Sequence, residues 1–210
     1  MIPGEVLLAF LAASALITIA PGPDNLMVLS IGISRGRGAG IGFGLGCALG
    51  CFTHTLWATL GIGAVVLASA AAFTALKMAG AAYLVYIGIN AWRHAGEMAL
   101  TRLEQCPAEP LGLHLRRGFV ANAINPKVAL FFIAFLPQFV DPTRAAVWLQ
   151  MLLLGLLFAA QTVVIFGGLG WFAGSLGRRL QRQPRLAVWL DRGAAAIFFA
   201  LALHLATAGR

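Results

Sequence analysis

Two short stretches of this 210-residue chain put groups able to bind or transfer charge beside prolines that break helices. The first is Pro21-Gly22-Pro23-Asp24-Asn25. Prolines lack an N–H and clash with the preceding turn, so this pair interrupts the helical hydrogen-bond ladder. Carbonyls freed ahead of the break, such as those of Thr18 and Ile19, then need other partners. A helix restarting near Pro23 presents unpaired N–H groups that favour an anion such as a carboxylate. Asp24, beside that restart, is suited either to capping it or to binding a cation or proton. The second stretch comprises Asn122, Asn125-Pro126-Lys127 and, further on, Pro137-Gln138. Lys127 introduces a cation into a run that otherwise reads Val128-Ala129-Leu130-Phe131-Phe132. The plainer roles are a helix cap for Asp24 and a snorkelling anchor to the inner interface for Lys127. Both charges together, each beside a helix-breaking proline, point to a shared functional cavity.

The elements that must hold these groups are membrane helices. The chain is 60% hydrophobic and only 10% charged, with a mean hydropathy of +0.87. A soluble domain carries roughly 25% charged residues, so too little polar surface is available to cover a water-soluble globule. A spanning helix takes about 20 apolar residues. Apolar segments cover about 4–33, 40–67, 71–92, 118–140, 145–172 and 186–206, with a polar loop over 93–117. These predict a single all-α polytopic domain over 1–210 with six transmembrane helices. The N-terminal segment lacks a positive leader, its first charge being Glu5, and is expected to be a retained first helix.

Charge orients the helices. With the N-terminus outside, the inner loops hold Arg35, Arg37, Arg93, Arg102, Arg116, Arg117, Arg178, Arg179, Arg182 and Arg185, while the outer side holds Lys77, Arg144 and Arg210. Such a bias places both termini outside the cytoplasm and the 93–117 loop inside. Helix four then enters near Gly118, which puts Lys127 about 14 Å in by the helical rise. The two proline breaks fall in helices one and four, the first helices of two three-helix halves. Three is odd, so the halves run in opposite directions, as in inverted repeats with a midplane transport site. Asp24 and Lys127 are expected to face one another.

Glycines recur every fourth position, at Gly32, Gly36, Gly40 and Gly44 and again at Gly38, Gly42, Gly46 and Gly50. Small residues at this spacing let helices approach closely in lipid; they suit packing, a sliding surface, or a homodimer contact. His54, within helix two, suits either a structural hydrogen bond or proton handling. Cys47 and Cys51 read as small buried hydrophobes, and with only His54 nearby they do not make a metal site. The odd cysteine count gives no disulfide framework. The net charge of +8 lies between apolar segments rather than in one patch, so lipid rather than nucleic acid is the expected neighbour. Phosphate-binding loops, nucleophile elbows and zinc-protease helices are absent from the sequence, so neither an enzyme nor a cofactor is expected. The rivals to a solute carrier are a channel or carrier for an ion and a non-transporting scaffold.

At the two clusters the sequence resembles the LysE/RhtB family of bacterial amino-acid exporters. The resemblance is carried by Ala20-Pro21-Gly22-Pro23-Asp24-Asn25 with the glycine-rich run Gly32 to Gly50, and by Asn125-Pro126-Lys127-Val128-Ala129-Leu130-Phe131-Phe132 with Phe135-Leu136-Pro137-Gln138-Phe139. It implies a secondary carrier in the bacterial inner membrane that exports amino acids or close derivatives at the expense of the proton gradient. Pro21, Gly22, Pro23, Asp24, Asn25, Asn122, Asn125, Pro126, Lys127 and Gln138 are then the expected substrate-binding or transport residues. Asp24 and His54 are the expected sites of proton coupling. Family members often carry Asn where this chain has Asp24.

Overall fold

The computed structural model describes residues 2–62, 70–96, 106–107 and 109–207. Every described element is helical. Helix α1 (Gly4–Ile19) stops at Ala20-Pro21-Gly22, and α2 (Pro23–Ser34) restarts with proline in its first turn, where a missing N–H costs nothing. Helix α3 (Arg37–Trp57) runs into a wide π turn over Ala58–Ile62, and α4 covers Ala70–Arg93. Helix α5 (Leu111–Ala123) is followed by the short α6 (Pro126–Leu130), a π turn (Phe131–Phe135) and a 3-10 turn (Leu136–Phe139). Helices α7 (Val147–Arg182) and α8 (Pro184–Thr207) complete the chain.

Arg37–Leu60, Val147–Leu180 and Arg185–Thr207 are each long and apolar enough to cross a membrane. Two bent helix pairs meet the same criterion of length and apolarity when each is taken together. Gly4–Ile19 meets Pro23–Ser34 at 56°, and Leu111–Ala123 meets Pro126–Phe139 at 49°. Both bends sit where proline removes a donor and crowds the preceding turn.

Two boundaries differ from the sequence expectation. Helix α5 begins at Leu111, inside the stretch read as polar loop, because Leu111 and the buried His114 lie against Gly42 of α3. Helix α7 continues through the predicted basic loop to Arg182. Basic residues are favourable in a last helical turn, and the stop comes only at Gln183, whose φ of −130° and ψ of 72° are the non-helical values that a following proline imposes.

Helix α3 is the centre of the bundle, and its two glycine registers serve different neighbours. A Cβ on Gly40 would lie 2.8 Å from Gly32 Cα on α2, and one on Gly44 would lie 2.9 Å from Phe166 Cβ on α7. The other register faces α5, where a Cβ on Gly50 would lie 2.7 Å from Asn122 Cβ. Helix α8 packs along α4, with Gly88 under the ring of Phe199 and the Gly96 N–H donating to Asp191 Oδ2 at 2.8 Å. Phenylalanines fill the opposite end of the interior. Phe132 and Phe158 centroids are 5.0 Å apart, Phe131 and Phe158 5.2 Å, and Phe10 and Phe139 5.3 Å.

Candidate functional site

The two proline breaks meet inside the bundle, although 98 residues separate Asp24 from Asn122 in sequence. Asp24 and Asn122 are each 1% exposed and Lys127 is 4% exposed. An anchor at the membrane surface would leave its ammonium accessible, so Lys127 is an interior cation. Its Nζ donates to the Ala20 carbonyl at 2.9 Å and to Asn25 Oδ1 at 3.3 Å. Asn25 Nδ2 in turn donates to the carbonyls of Thr18 at 2.7 Å and Ile19 at 3.4 Å. Carbonyls freed by the first break are thus satisfied by the start of the next helix and by a cation from the second break.

Asp24 is served differently. Asn122 Nδ2 donates to its Oδ2 at 2.7 Å, while the Asn122 backbone carbonyl lies 2.8 Å from His54 Nε2. A carbonyl only accepts, so Nε2 carries the proton. The breaks therefore form one network running from Ile19 to Lys127 and a second from His54 to Asp24. Both charges line one cavity of about 10 Å³, with Thr18, Asn122, Phe158 and Thr162 around them. That volume is about the threshold for one water molecule. Among the described residues no direct ion pair joins Asp24 and Lys127; each charge is held by neutral partners.

Other expected site residues have local roles. Asn125 caps α6, its Oδ1 accepting from the Lys127 N–H at 3.0 Å beside Pro126 in the first turn. Gly22 is extended, with φ −171° and ψ 179°, a conformation any residue adopts. Its need for glycine is spatial: a Cβ there would lie 2.7 Å from Lys127 Nζ. Gln138 is not brought to the cluster; its amide donates to the Ala134 carbonyl at 3.0 Å on the far side of the π turn. Three polar residues in or near the cluster lie outside the expected site set. Thr18 and Thr162 each donate a hydroxyl to the preceding turn, at 2.7 and 2.8 Å, and Ser14 Oγ lies 3.1 Å from Gln161 Oε1 across α1 and α7. The i, i+4 spacing of Ser14 and Thr18 was the available signal.

Several buried polar atoms have no protein partner. Asp24 Oδ1 and Asn122 Oδ1 are acceptors, and Asn125 Nδ2 is a donor. Buried polar atoms are almost always paired, and these three belong to or adjoin the residues that hold the two charges. A second, larger cavity of about 400 Å³ lies on the other side of the first break, between α2, α7 and α8. Asn25, Ala20 and Pro21 form its polar edge; Leu29, Leu176 and Trp189 are among its apolar walls.

Past the end of α2, Glu109 ties elements together. It accepts from Arg35, at the end of α2, and from Arg117 of α5 at 2.6 Å. Beside this contact the Cys106 N–H donates to the Ser34 carbonyl at 2.9 Å.

The apolar spans, the absence of strands among the described residues and the buried charges at two broken helices define an all-α polytopic membrane protein with an interior polar site. The profile of the LysE type translocators matches residues 15–209, and the chain belongs to that family. It is 34% identical over 204 residues to an uncharacterized membrane protein of Vibrio cholerae, covering 97% of this chain and 98% of that one. It is 29% identical over 200 residues to a homoserine/homoserine lactone efflux protein of Salmonella typhimurium, covering 95% of both chains. A leucine efflux protein of Klebsiella pneumoniae is 25% identical over 206 residues, covering 95% of this chain and 94% of that one. No solved structure matches the chain.

Proposed function

We propose that this translocator is a secondary exporter of amino acids or close derivatives, driven by protons, with its site at the two broken spans. The observation that carries the reading is the arrangement of unused hydrogen-bonding atoms beside two buried charges of opposite sign. Asp24 Oδ1 and Asn122 Oδ1 are free to accept from an ammonium, and Asn125 Nδ2 is free to donate to a carboxylate. Lys127 adds a third ammonium N–H beyond the two bonds it already makes. An amino-acid zwitterion has complementary groups. The efflux activities named for the Salmonella and Klebsiella relatives support the same solute class.

The small cavity is too tight for an amino acid, so loading requires the α1–α2 break to move. The carboxylate then meets Lys127 and the ammonium meets Asp24, and proton exchange on Asp24 couples inward proton flow to outward solute flow. In this reading the protein lies in the bacterial inner membrane with six spans, two inverted three-helix halves and both termini outside. The arginine distribution supports that orientation.

The test is amino-acid export by cells carrying Asp24→Asn and Lys127→Ala. Loss of export at wild-type protein levels is expected for both. Full export by both variants would reject these roles. A wild-type chain that lowers the intracellular level of no amino acid would reject the exporter reading itself.

A further inference from the structure

The polar network accounts for the backbone groups of a substrate but leaves its side chain without a place. The cavity at the two charges has room for about one water. The 400 Å³ cavity shares Asn25 with that network, since Asn25 lines it while also receiving the Lys127 ammonium. Its apolar walls include Leu26, Leu29, Leu176, Leu180, Trp189 and Ile197, from α2, α7 and α8.

The position of this cavity follows from how α8 packs. The later part of α8 is held in the core, where Phe198, Ala202 and Leu205 are buried. The early part, from Ala187 to Ala194, lines one side of the space, with Ala187 and Ala194 buried and Trp189 and Leu190 exposed. One end of the space is closed by the Ile19-Ala20-Pro21 break. Toward the other lie Gly177, Leu180 and Ala187, next in sequence to the exposed Arg178, Arg179 and Arg185. In the orientation argued above that is the cytoplasmic end, and arginines there attract a carboxylate from solution. The route to the opposite side is filled by the Phe131, Phe132, Phe135 and Phe158 rings. The side of the charged network that borders open space is therefore the one where Asn25 lines the apolar chamber.

We infer that the chamber between α2, α7 and α8 is the side-chain subsite on the cytoplasmic approach, and that it selects amino acids with uncharged, apolar side chains. This rests on the exporter reading above. Its lining carries one charged residue, Asp191 on the α8 wall, whose Oδ2 is turned to the Gly96 N–H beside α4, and the rest is apolar apart from Asn25 and the break itself. An apolar pocket rewards or rejects side chains by size, and a one-methylene difference discriminates by about 10–200-fold.

Gly193 gives the test. It lines the chamber, and a Cβ at this position meets no atom within 4 Å, so Gly193→Phe narrows the space without a backbone clash. Export is compared for leucine, alanine and lysine in cells producing wild type, Gly193→Ala or Gly193→Phe at matched membrane levels. Wild type is expected to prefer leucine to lysine. Gly193→Phe is expected to lose leucine export by about tenfold or more and to keep alanine export within about twofold, with the leucine loss of Gly193→Ala falling between wild type and Gly193→Phe. Should Gly193→Phe fail to accumulate, Leu180→Cys in a Cys106→Ser background reads the same site. A membrane-impermeant maleimide is expected to label it in inside-out vesicles only, with leucine slowing the reaction. Equal loss for all three solutes, unchanged leucine export, or labelling indifferent to leucine would overturn the subsite. Absence of any wild-type export would instead remove the exporter reading on which it rests.

Discussion

Gly22→Ala separates the geometry of Lys127 from the stability of the fold. The φ of −171° at Gly22 accommodates alanine without backbone strain, so the substitution acts through its new methyl group alone. That methyl would lie 2.7 Å from Lys127 Nζ, 3.2 Å from Cε and 3.4 Å from Cδ. Ordinary contact begins at 3.4 Å, so the ammonium must retreat by 3.4 − 2.7 = 0.7 Å. Its bond to the Ala20 carbonyl, now 2.9 Å, then stretches to as much as 2.9 + 0.7 = 3.6 Å, which is no longer a hydrogen bond. A bond to a charged group contributes about 1.5–3 kcal/mol, or about 10–150-fold if the loss falls on substrate binding. The lysine terminus is flexible and can repair part of the loss within the folded protein, so the thermal midpoint in detergent is expected to fall by only a few degrees. Export at matched membrane levels is expected to fall by tenfold or more. Wild-type export by Gly22→Ala would refute the argument that the Lys127 ammonium must sit where it does. A collapse of stability equal to the loss of export would also refute it, because the break would then be structural only.

Three other perturbations follow from the same contacts. Asn122→Leu removes the only protein donor to Asp24 among the described residues while keeping the backbone carbonyl that serves His54; a transport assay should show export reduced by tenfold or more, since a charged hydrogen bond of about 1.5–3 kcal/mol is lost. Gly50→Val puts its Cβ 2.7 Å from Asn122 Cβ and 2.9 Å from the Phe119 carbonyl, so thermal unfolding should reveal a loss of about 1–3 kcal/mol, whereas Gly38→Ala, with open space around it, should be neutral or stabilising. Glu109 is pushed up by desolvation but held below the usual carboxylate range by hydrogen bonds from Arg35 and Arg117, which prevail. A depressed carboxylate contributes stability above its unfolded value of about 4.3 and loses it as pH falls through the lower folded value, so amide exchange at Cys106 should accelerate below about pH 4 in wild type and already at neutral pH in Glu109→Gln.

Much of the site was legible because its causes are local. Proline removes a backbone donor wherever it stands, so the breaks at Pro21-Gly22-Pro23 and at Pro126 could be read without knowing the fold. A buried charge in an apolar run is conspicuous for the same reason, which is why Asp24 and Lys127 stood out. What could not be read was partnership. Asn25 was expected among the substrate-binding residues, but its Nδ2 is turned to the Thr18 and Ile19 carbonyls and its Oδ1 to the Lys127 ammonium, a choice fixed by where the first helix ends in space. Gln138 shared a motif with Lys127 yet is carried away by the π turn between them, because the extra residue in that turn alters which face the following side chains take. The start of α5 was missed because its polar face carries Arg116 and Arg117, and only the glycines of α3 reveal that its other face is packed. The apolar chamber was invisible for a simpler reason: it is made by the gap between α8 and α2, and a gap leaves no residue pattern.

The separation of Asp24 from Lys127 is more informative than an ion pair would have been. Two unit charges about 4 Å apart attract by about 4 kcal/mol at an effective dielectric of 20, and a closed pair would have to be broken each time a zwitterion entered. Here each charge instead leans on neutral groups: the amide of Asn122 for the carboxylate, and the Ala20 carbonyl with the Asn25 amide for the ammonium. Those contacts offset part of the cost of burial while leaving one carboxylate oxygen without a protein partner. A zwitterion inserted between them supplies the missing opposite charge on each side at once and need not displace an existing pair. It also explains why the ammonium leans on the Ala20 carbonyl at the break itself. A bound carboxylate would share the third N–H of Lys127 while its bond to the Ala20 carbonyl and the Asn25 bonds to Thr18 and Ile19 hold the break in place.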